Sequence, residues 1–287
     1  MQNLKKTFLL QLALLLLAWP LIAQNRANEI LKEFCNPKSK TVLVAAHRAG
    51  HNGFPENSIS AWKHAIEIGV DIIETDVKVT KDSVVVLMHD GKIDRTTTGK
   101  GNPENFTYAE LLQFKLKMPD GTVTSEPIAT LEEALKLAKG KVLVDIDIKT
   151  SNLKPVGDVI KKTGTQGQVF YFDNDYDALK EIRNLQPGAM LMPRAYNQHM
   201  ADSALYLFSP QVIHIDESFY TAELTSSISN KNARVWINAL EDPDDLIRKG
   251  EIQKAMDQVL KYNANIIQTD EPEKMIPWLK KKGLRKF

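Results

Sequence analysis

A single cysteine, Cys35, excludes any disulfide within the chain. It lies too far beyond the N-terminal apolar segment to serve as a lipid-attachment cysteine, and reads as a passive residue at a helix end. A surplus of one charge is also lacking. The 37 Lys and Arg stand against 36 Asp and Glu, and removing Lys5 and Lys6 with the leader described below leaves 35 against 36. That balance argues against a nucleic-acid partner, which requires a basic excess. The chain shows no internal repeat, low-complexity tract or interdomain linker, which excludes solenoid and fibrous arrangements. A composition that is 43% hydrophobic and 25% charged fits one large globular domain.

Long apolar runs are lacking except at the start. Residues 1–23, MQNLKKTFLLQLALLLLAWPLIA, carry Lys5-Lys6, then an apolar run from Phe8 to Trp19, then a small residue, Ala23. That order is a secretory signal peptide, leaving residues 24–287 as the mature domain. The alternative, a membrane anchor, needs about 20 apolar residues, and the run falls short. The expectation is an exported protein, periplasmic or extracellular, with no stable membrane anchor once the leader is removed.

Short β-branched runs alternate with helix-period segments along the rest of the chain. The expected strands are Thr41–Ala46, Asp71–Val77, Lys141–Ile148, Gln168–Phe172, Ala189–Met192, Gln211–Ile215, Arg234–Ile237 and Asn265–Gln268, with helices such as Ser58–Ile68 and Ile252–Tyr262 between them. Alternation with apolar strands implies a parallel sheet covered by helices. Eight such units in about 250 residues predict an α/β fold, a (β/α)₈ TIM barrel. One stretch breaks the pattern: VVVLMHD, Val84–Asp90, follows the second strand after only TKDS. Too close for a parallel crossover, it must return as an antiparallel β-hairpin, bringing His89 roughly opposite Glu74. Residues 91–128 are then a small insertion, expected to form a lid or rim.

Active sites of such barrels lie at the C-terminal ends of the strands. The first strand ends in His47-Arg48, the second in Glu74-Thr75-Asp76, its hairpin in His89-Asp90 and the third in Asp145-Ile146-Asp147-Ile148-Lys149. Residues two apart on a strand share a face, so Glu74 with Asp76, and Asp145 with Asp147 and Lys149, point the same way. Carboxylates crowded into one mouth repel by several kcal/mol unless protonated or bound to a cation. Oxygen donors without cysteine or a paired-histidine motif suggest Mg²⁺ or Ca²⁺ over Zn²⁺. The bland alternative is a set of rim carboxylates paired with Lys78, Lys149 and Arg48. Two histidines, a divalent cation, an arginine and a lysine together suit phosphoryl chemistry, since the cations neutralise phosphate oxygens while the histidines exchange protons.

HRAG…PENS (47–58), ETD (74–76), MHD (88–90), DRTTTGKG (94–101), PIATLEEAL (127–135), DIDIK (145–149), VWIN (235–238) and IIQTDEP (266–272) resemble, in order, the motifs of the glycerophosphodiester phosphodiesterases, part of the phospholipase-C-like barrel phosphodiesterases. The resemblance runs over about residues 41–280. It implies a metal-dependent hydrolase that cuts glycerophosphodiesters to glycerol 3-phosphate and an alcohol through a cyclic phosphate. By position it implies His47 and His89 as the acid/base pair and Glu74, Asp76 and Asp147 as ligands of a divalent cation, Ca²⁺ or Mg²⁺. Arg48 and Lys149 become phosphate contacts, with Glu56 and Asn57 near the metal. The chain departs from the family pattern at Ala49, where a glycine is usual, and at Asp147, where many members carry the longer Glu.

The other histidines receive plainer readings. His51 lies in a variable loop near the substrate, His64 on a covering helix, His199 at a helix start and His214 inside a strand, where a role lining the barrel is the less favoured alternative. Trp236 and Phe219 are candidates for a wall around the alcohol, with core packing as the alternative. Rival functions are a phosphoinositol or lysophospholipid phosphodiesterase of the same superfamily, and an inactive barrel that binds anionic ligands. The expected partner in every case is a small molecule.

Overall fold

The computed structural model describes residues 26–287, so the expected leader lies outside the described residues. Helix α1 (residues 26–34) precedes β1 (Leu43–Ala46), α2 (Ile59–Glu67), β2 (Ile72–Val79) and β3 (Val85–Leu87). The insertion contributes α3 (Tyr108–Leu111), and α4 (Leu131–Ala138) leads to β4 (Leu143–Ile148). Alternation then continues through α5 (Leu153–Thr163), β5 (Val169–Asp173), α6 (Tyr176–Leu185), β6 (Met190–Ala195), α7 (Gln198–Phe208), β7 (Val212–Ile215), α8 (Ala222–Asn230) and β8 (Arg234–Asn238). The last elements are α9 (Asp242–Arg248), α10 (Ile252–Val259), β9 (Ile266–Thr269) and α11 (Pro272–Lys281).

Eight strands pair in parallel and close on themselves, β1 against both β9 and β2, while β3 alone runs antiparallel beside β2. The fold is the expected (β/α)₈ barrel. Alternation along each strand sorts the core into two parts. Outward residues such as Val44, Ile73 and Val144 pack under the helices. Inward residues Leu43, Ile72, Leu143, Phe170, Val212 and Ile266 fill the lower barrel, where Ile30 and Phe34 of α1 plug the end. This apolar floor leaves the upper strand ends for polar chemistry.

Local signals set the covering helices. Ser58 caps α2 by accepting from Ala61 N, and Thr130 with Glu133 forms a capping box on α4. Below the barrel, Arg285 grips Asp71 with both terminal nitrogens, and both side chains are fully buried. Asp71 also accepts from Val44 N at 2.9 Å, tying the chain's end to β1. Arg285→Met would leave that carboxylate buried beside only Arg26, 3.7 Å away. We expect it to destabilise the fold by about 3–5 kcal/mol in urea unfolding; a loss below about 1 kcal/mol would show the pair to be dispensable.

One expectation is trimmed. The returning strand is Val85–Leu87, shorter than 84–90; Val77 pairs with Leu87, so the register places His89 level with Thr75, one residue from Glu74. The insertion, expected as a lid or rim, packs beside the hairpin, and its Arg95 reaches Asp90 and Glu56. Ile93, Leu111, Leu116 and Ile128 make a small core of their own with Val86 and Met88, which holds it against the outer side of the hairpin.

Candidate active site

Strand register assembles the acidic cluster. Glu74 pairs with Asp145 and Asp76 with Asp147 across β2 and β4, so the inward carboxylates stand side by side. One oxygen from each of Glu74, Asp76 and Asp147 falls within 4.8 Å of the others. The shorter Asp147 therefore reaches far enough. Each carboxylate spends an oxygen on a protein donor: Glu74 Oε2 accepts from Arg48 N at 2.7 Å, Asp76 Oδ2 from Asn57 Nδ2 at 2.9 Å, and Asp147 Oδ2 from Lys149 Nζ at 2.8 Å. Three second oxygens remain, a donor set suited to a hard divalent cation.

Electrostatics agree with that fit. Burial, then the charges of Asp76, Asp147 and Asp145, push the Glu74 carboxyl well above its ordinary value. Burial and Asp147 do the same to Asp145, whose Oδ1 is buried without a hydrogen-bond partner. Burial and Asp76 raise Asp147. Burial alone would lower the Lys149 ammonium, but Asp147 and Asp76 outweigh it and keep the group a cation.

His47 and His89 face the same cavity, and each uses Nδ1 on a carboxylate: His47 with Asp270 Oδ1 at 2.8 Å, His89 with Asp90 Oδ1 at 2.7 Å. Nε2 of each ring is then the atom left for proton transfer. Asp270 closes β9 and is itself anchored by its backbone N–H on Asp244 at 2.7 Å. Burial would raise the Asp270 carboxyl, but its hydrogen bond to His47 and the charges of His47, His51 and Arg248 bring it below its ordinary value. Arg95 of the insertion ties Asp90 at 2.7 Å and Glu56 at 2.7 and 2.8 Å, and its hydrogen bonds hold the Asp90 carboxyl low.

Lys149 and Trp236 line the cavity, whereas Arg48, Glu56 and Asn57 are set back from it. Arg48 Nη1 lies 3.2 and 3.1 Å from the Glu56 oxygens and its Nε 3.7 Å from Asp76, and that buried Nε has no hydrogen-bond partner. Asn57 joins Thr75 Oγ1 to Asp76. These three residues brace the acidic cluster from outside. Ala49 takes a left-handed backbone itself, φ 68°, between Arg48 at 46° and Gly50 at 67°. That conformation costs an alanine about 1–2 kcal/mol, offset in part by its fully buried methyl.

His51 stays aside, 3.9 Å from Asp270, and burial lowers its pKa. His64 on α2 pairs with Glu273, and His199 lies in the first turn of α7. His214 takes the reading not favoured from sequence: it lines the cavity, buried, on β7 across the barrel from the carboxylates of β2 and β4. Phe172, Met192, Arg194, Asn238 and Gln268 line the cavity too. Phe219 is exposed beside Tyr196, with ring centroids 5.7 Å apart. Arg194, Asn238, Gln268 and Asp270 escaped the sequence reading, although each ends or follows a barrel strand; the strand-end rule applied to all eight staves finds them.

Fold and site together define a barrel enzyme whose mouth joins an acidic cluster to two carboxylate-backed histidines. The chain belongs to the glycerophosphoryl diester phosphodiesterase family, whose model matches residues 47–274. A glycerophosphodiester phosphodiesterase of Caldanaerobacter subterraneus is 28% identical over 261 residues, covering 84% of this chain and 99% of that protein. Among solved structures, a glycerophosphoryl diester phosphodiesterase of Parabacteroides distasonis superposes with a TM-score of 0.79 at 23% identity, covering 89% of this chain and 92% of that one. An Oleispira antarctica phosphodiesterase, in complex with its product sn-glycerol-3-phosphate, matches with a TM-score of 0.71 at 23% identity over 85% of this chain and 99% of its own.

Proposed function

We propose that this protein hydrolyses glycerophosphodiesters to glycerol 3-phosphate and an alcohol. The observation that carries the reading is the convergence, on one cavity of a chain in this family, of three carboxylate oxygens within 4.8 Å and two histidines each backed by its own carboxylate. Glu74, Asp76 and Asp147 would hold a divalent cation, Mg²⁺ or Ca²⁺, which when bound supplies positive charge to the phosphate oxygens. Lys149 adds a second positive charge beside it.

His47 and His89 divide the proton work. As the substrate's glycerol hydroxyl attacks phosphorus, one Nε2 takes its proton; as the bond from phosphorus to the alcohol breaks, the other Nε2 protonates the departing oxygen. Water then opens the cyclic phosphate with the two roles exchanged. Asp270 and Asp90 hold the rings in the tautomer this requires and stabilise the protonated form. The cavity, about 130 Å³, is smaller than the roughly 300–1,000 Å³ of sites that engulf a whole ligand. It suits the phosphoglycerol portion, with the alcohol directed outward. Residues 1–23 are proposed to direct export, so the diester would be met outside the cytoplasm.

The test is product analysis on purified protein with Mg²⁺ or Ca²⁺ and a panel of glycerophosphodiesters, phosphoinositides and lysophospholipids. Glycerol 3-phosphate and free alcohol are the expected products. Release of the alcohol's own phosphate monoester, or binding without turnover, would overturn the reading.

A further inference from the structure

Three buried polar atoms that line this one cavity have no hydrogen-bond partner: Asp145 Oδ1, Arg194 Nε and His214 Nδ1. The first belongs to the acidic cluster. The other two stand on the opposite wall, on residues that face each other across the β6–β7 pairing. An unsatisfied buried donor or acceptor costs about 1–3 kcal/mol, so two on one wall of a site call for a ligand group that satisfies both.

The two atoms differ in kind. Arg194 is held by Nη2 on Asp216 Oδ1 at 2.5 Å, with its guanidinium 5.5 Å from the Phe172 ring centroid and 5.6 Å from that of Tyr196. This fixes its orientation and leaves Nε–H over as a donor. His214 Nε2 lies 3.1 Å from Asn238 Oδ1, which also accepts from Trp236 Nε1 at 3.0 Å. The indole N–H also reaches Gln268 Oε1 at 3.3 Å, but its shorter contact is to Asn238. Since it can only donate, the Asn238 atom is the carbonyl oxygen and His214 carries its proton on Nε2. Its Nδ1 is therefore an acceptor. Burial and the Arg194 charge hold the imidazole pKa down to about 3, keeping the ring neutral.

A ligand that satisfies this wall must accept from Arg194 Nε–H and donate to His214 Nδ1. A hydroxyl does both, whereas an ionised phosphate oxygen only accepts and a quaternary ammonium does neither. The aromatic faces of Phe172 and Tyr196, which could have stacked on a cationic headgroup, are already covered by Arg194. We propose that Arg194 and His214 are specificity-determining residues that bind a hydroxyl of the substrate's glycerol moiety, Arg194 Nε–H donating to it and His214 Nδ1 accepting from it. This assignment rests on the phosphodiesterase reading above. Asn238 and Trp236 act as positioning residues, setting the tautomer of His214.

The experiment compares two ligands with the same phosphate, sn-glycerol 3-phosphate and propyl phosphate, by calorimetry on Mg²⁺-loaded protein. The native protein is expected to prefer glycerol 3-phosphate about 10–100-fold. His214→Phe keeps the aromatic packing and Arg194→Lys keeps the charge beside Asp216; each should reduce the preference to about threefold or less while propyl phosphate binds as before. Melting curves with Mg²⁺ check that both variants fold. Equal binding of the two ligands by the native protein, or a preference retained in both variants, would overturn the assignment even if glycerophosphodiesters are hydrolysed. Failure to bind either ligand together with absence of turnover would overturn the phosphodiesterase reading as well, so the two failures are told apart.

Discussion

His47→Ala is expected to lower kcat on a glycerophosphodiester by about 10²–10⁴-fold, the range for removing a positioned proton-transfer group. His89→Ala should do the same, because the two rings act on opposite sides of one displacement. His47 lines the site cavity and belongs to neither apolar core of the barrel, so its loss enlarges the site without opening the core and the melting temperature should fall by only a few degrees. Asp270→Asn is the informative companion. It keeps the shape beside His47 Nδ1 but removes the charge that favours the protonated ring, so kcat should drop less than in His47→Ala and the pH profile should shift. Turnover unchanged in either histidine variant would sink the acid/base assignment.

Exhaustive chelation is expected to abolish turnover, and Mg²⁺ or Ca²⁺ should restore it. The same cluster makes a thermodynamic prediction that needs no substrate. Glu74, Asp145 and Asp147 have carboxyl pKa values raised in the folded chain, by burial first and then by neighbouring carboxylates, chiefly Asp76 acting on Glu74 and on Asp147, and Asp147 acting on Asp145. The metal-free folded state thus binds more protons than the unfolded one. Its contribution to stability is complete below the unfolded pKa of about 4 and is lost as pH rises through the higher folded values. His51 and His214, lowered by burial, work the other way below about pH 6.5, so the useful readout is the difference in melting temperature with and without cation. That difference should grow from pH 5 to pH 8 as the cation takes over from protons, the stabilisation behind it reaching about 2.7 kcal/mol at a hundredfold excess of cation over its Kd. Melting curves indifferent to both cations across that range, with activity surviving chelation, would remove the metal from the reaction.

Much of this site can be read from sequence, for a physical reason. In β1, β2 and β4 an apolar lower half is followed by inward charged residues at a spacing of two, so DIDIK and ETD announce their direction. The far wall is quieter. β5, β6, β8 and β9 run on to Asp173, Ala195, Asn238 and Thr269, one to three residues past the point where the apolar pattern stops. Polar residues there face a cavity, and pattern alone cannot tell a cavity from solvent. Arg194 was hidden further by Pro193, which reads as a strand breaker yet sits in β6 opposite Asp173. Arg48 shows a second limit of pattern: nothing in the sequence tells that Glu56, eight residues on, holds its Nη1 while its buried Nε is left without a hydrogen-bond partner.

The seam between β1 and β2 has only two registered pairs, against six between β2 and β4. Where the ladder would have continued, Glu74 accepts from Arg48 N in place of a backbone carbonyl. A side chain that belongs to the acidic cluster is thus also a rung of the barrel. Local opening of this seam, directly beneath His47, would break a bond to the cluster itself, so a cation bound to Glu74 would be expected to slow hydrogen exchange at Arg48 N–H.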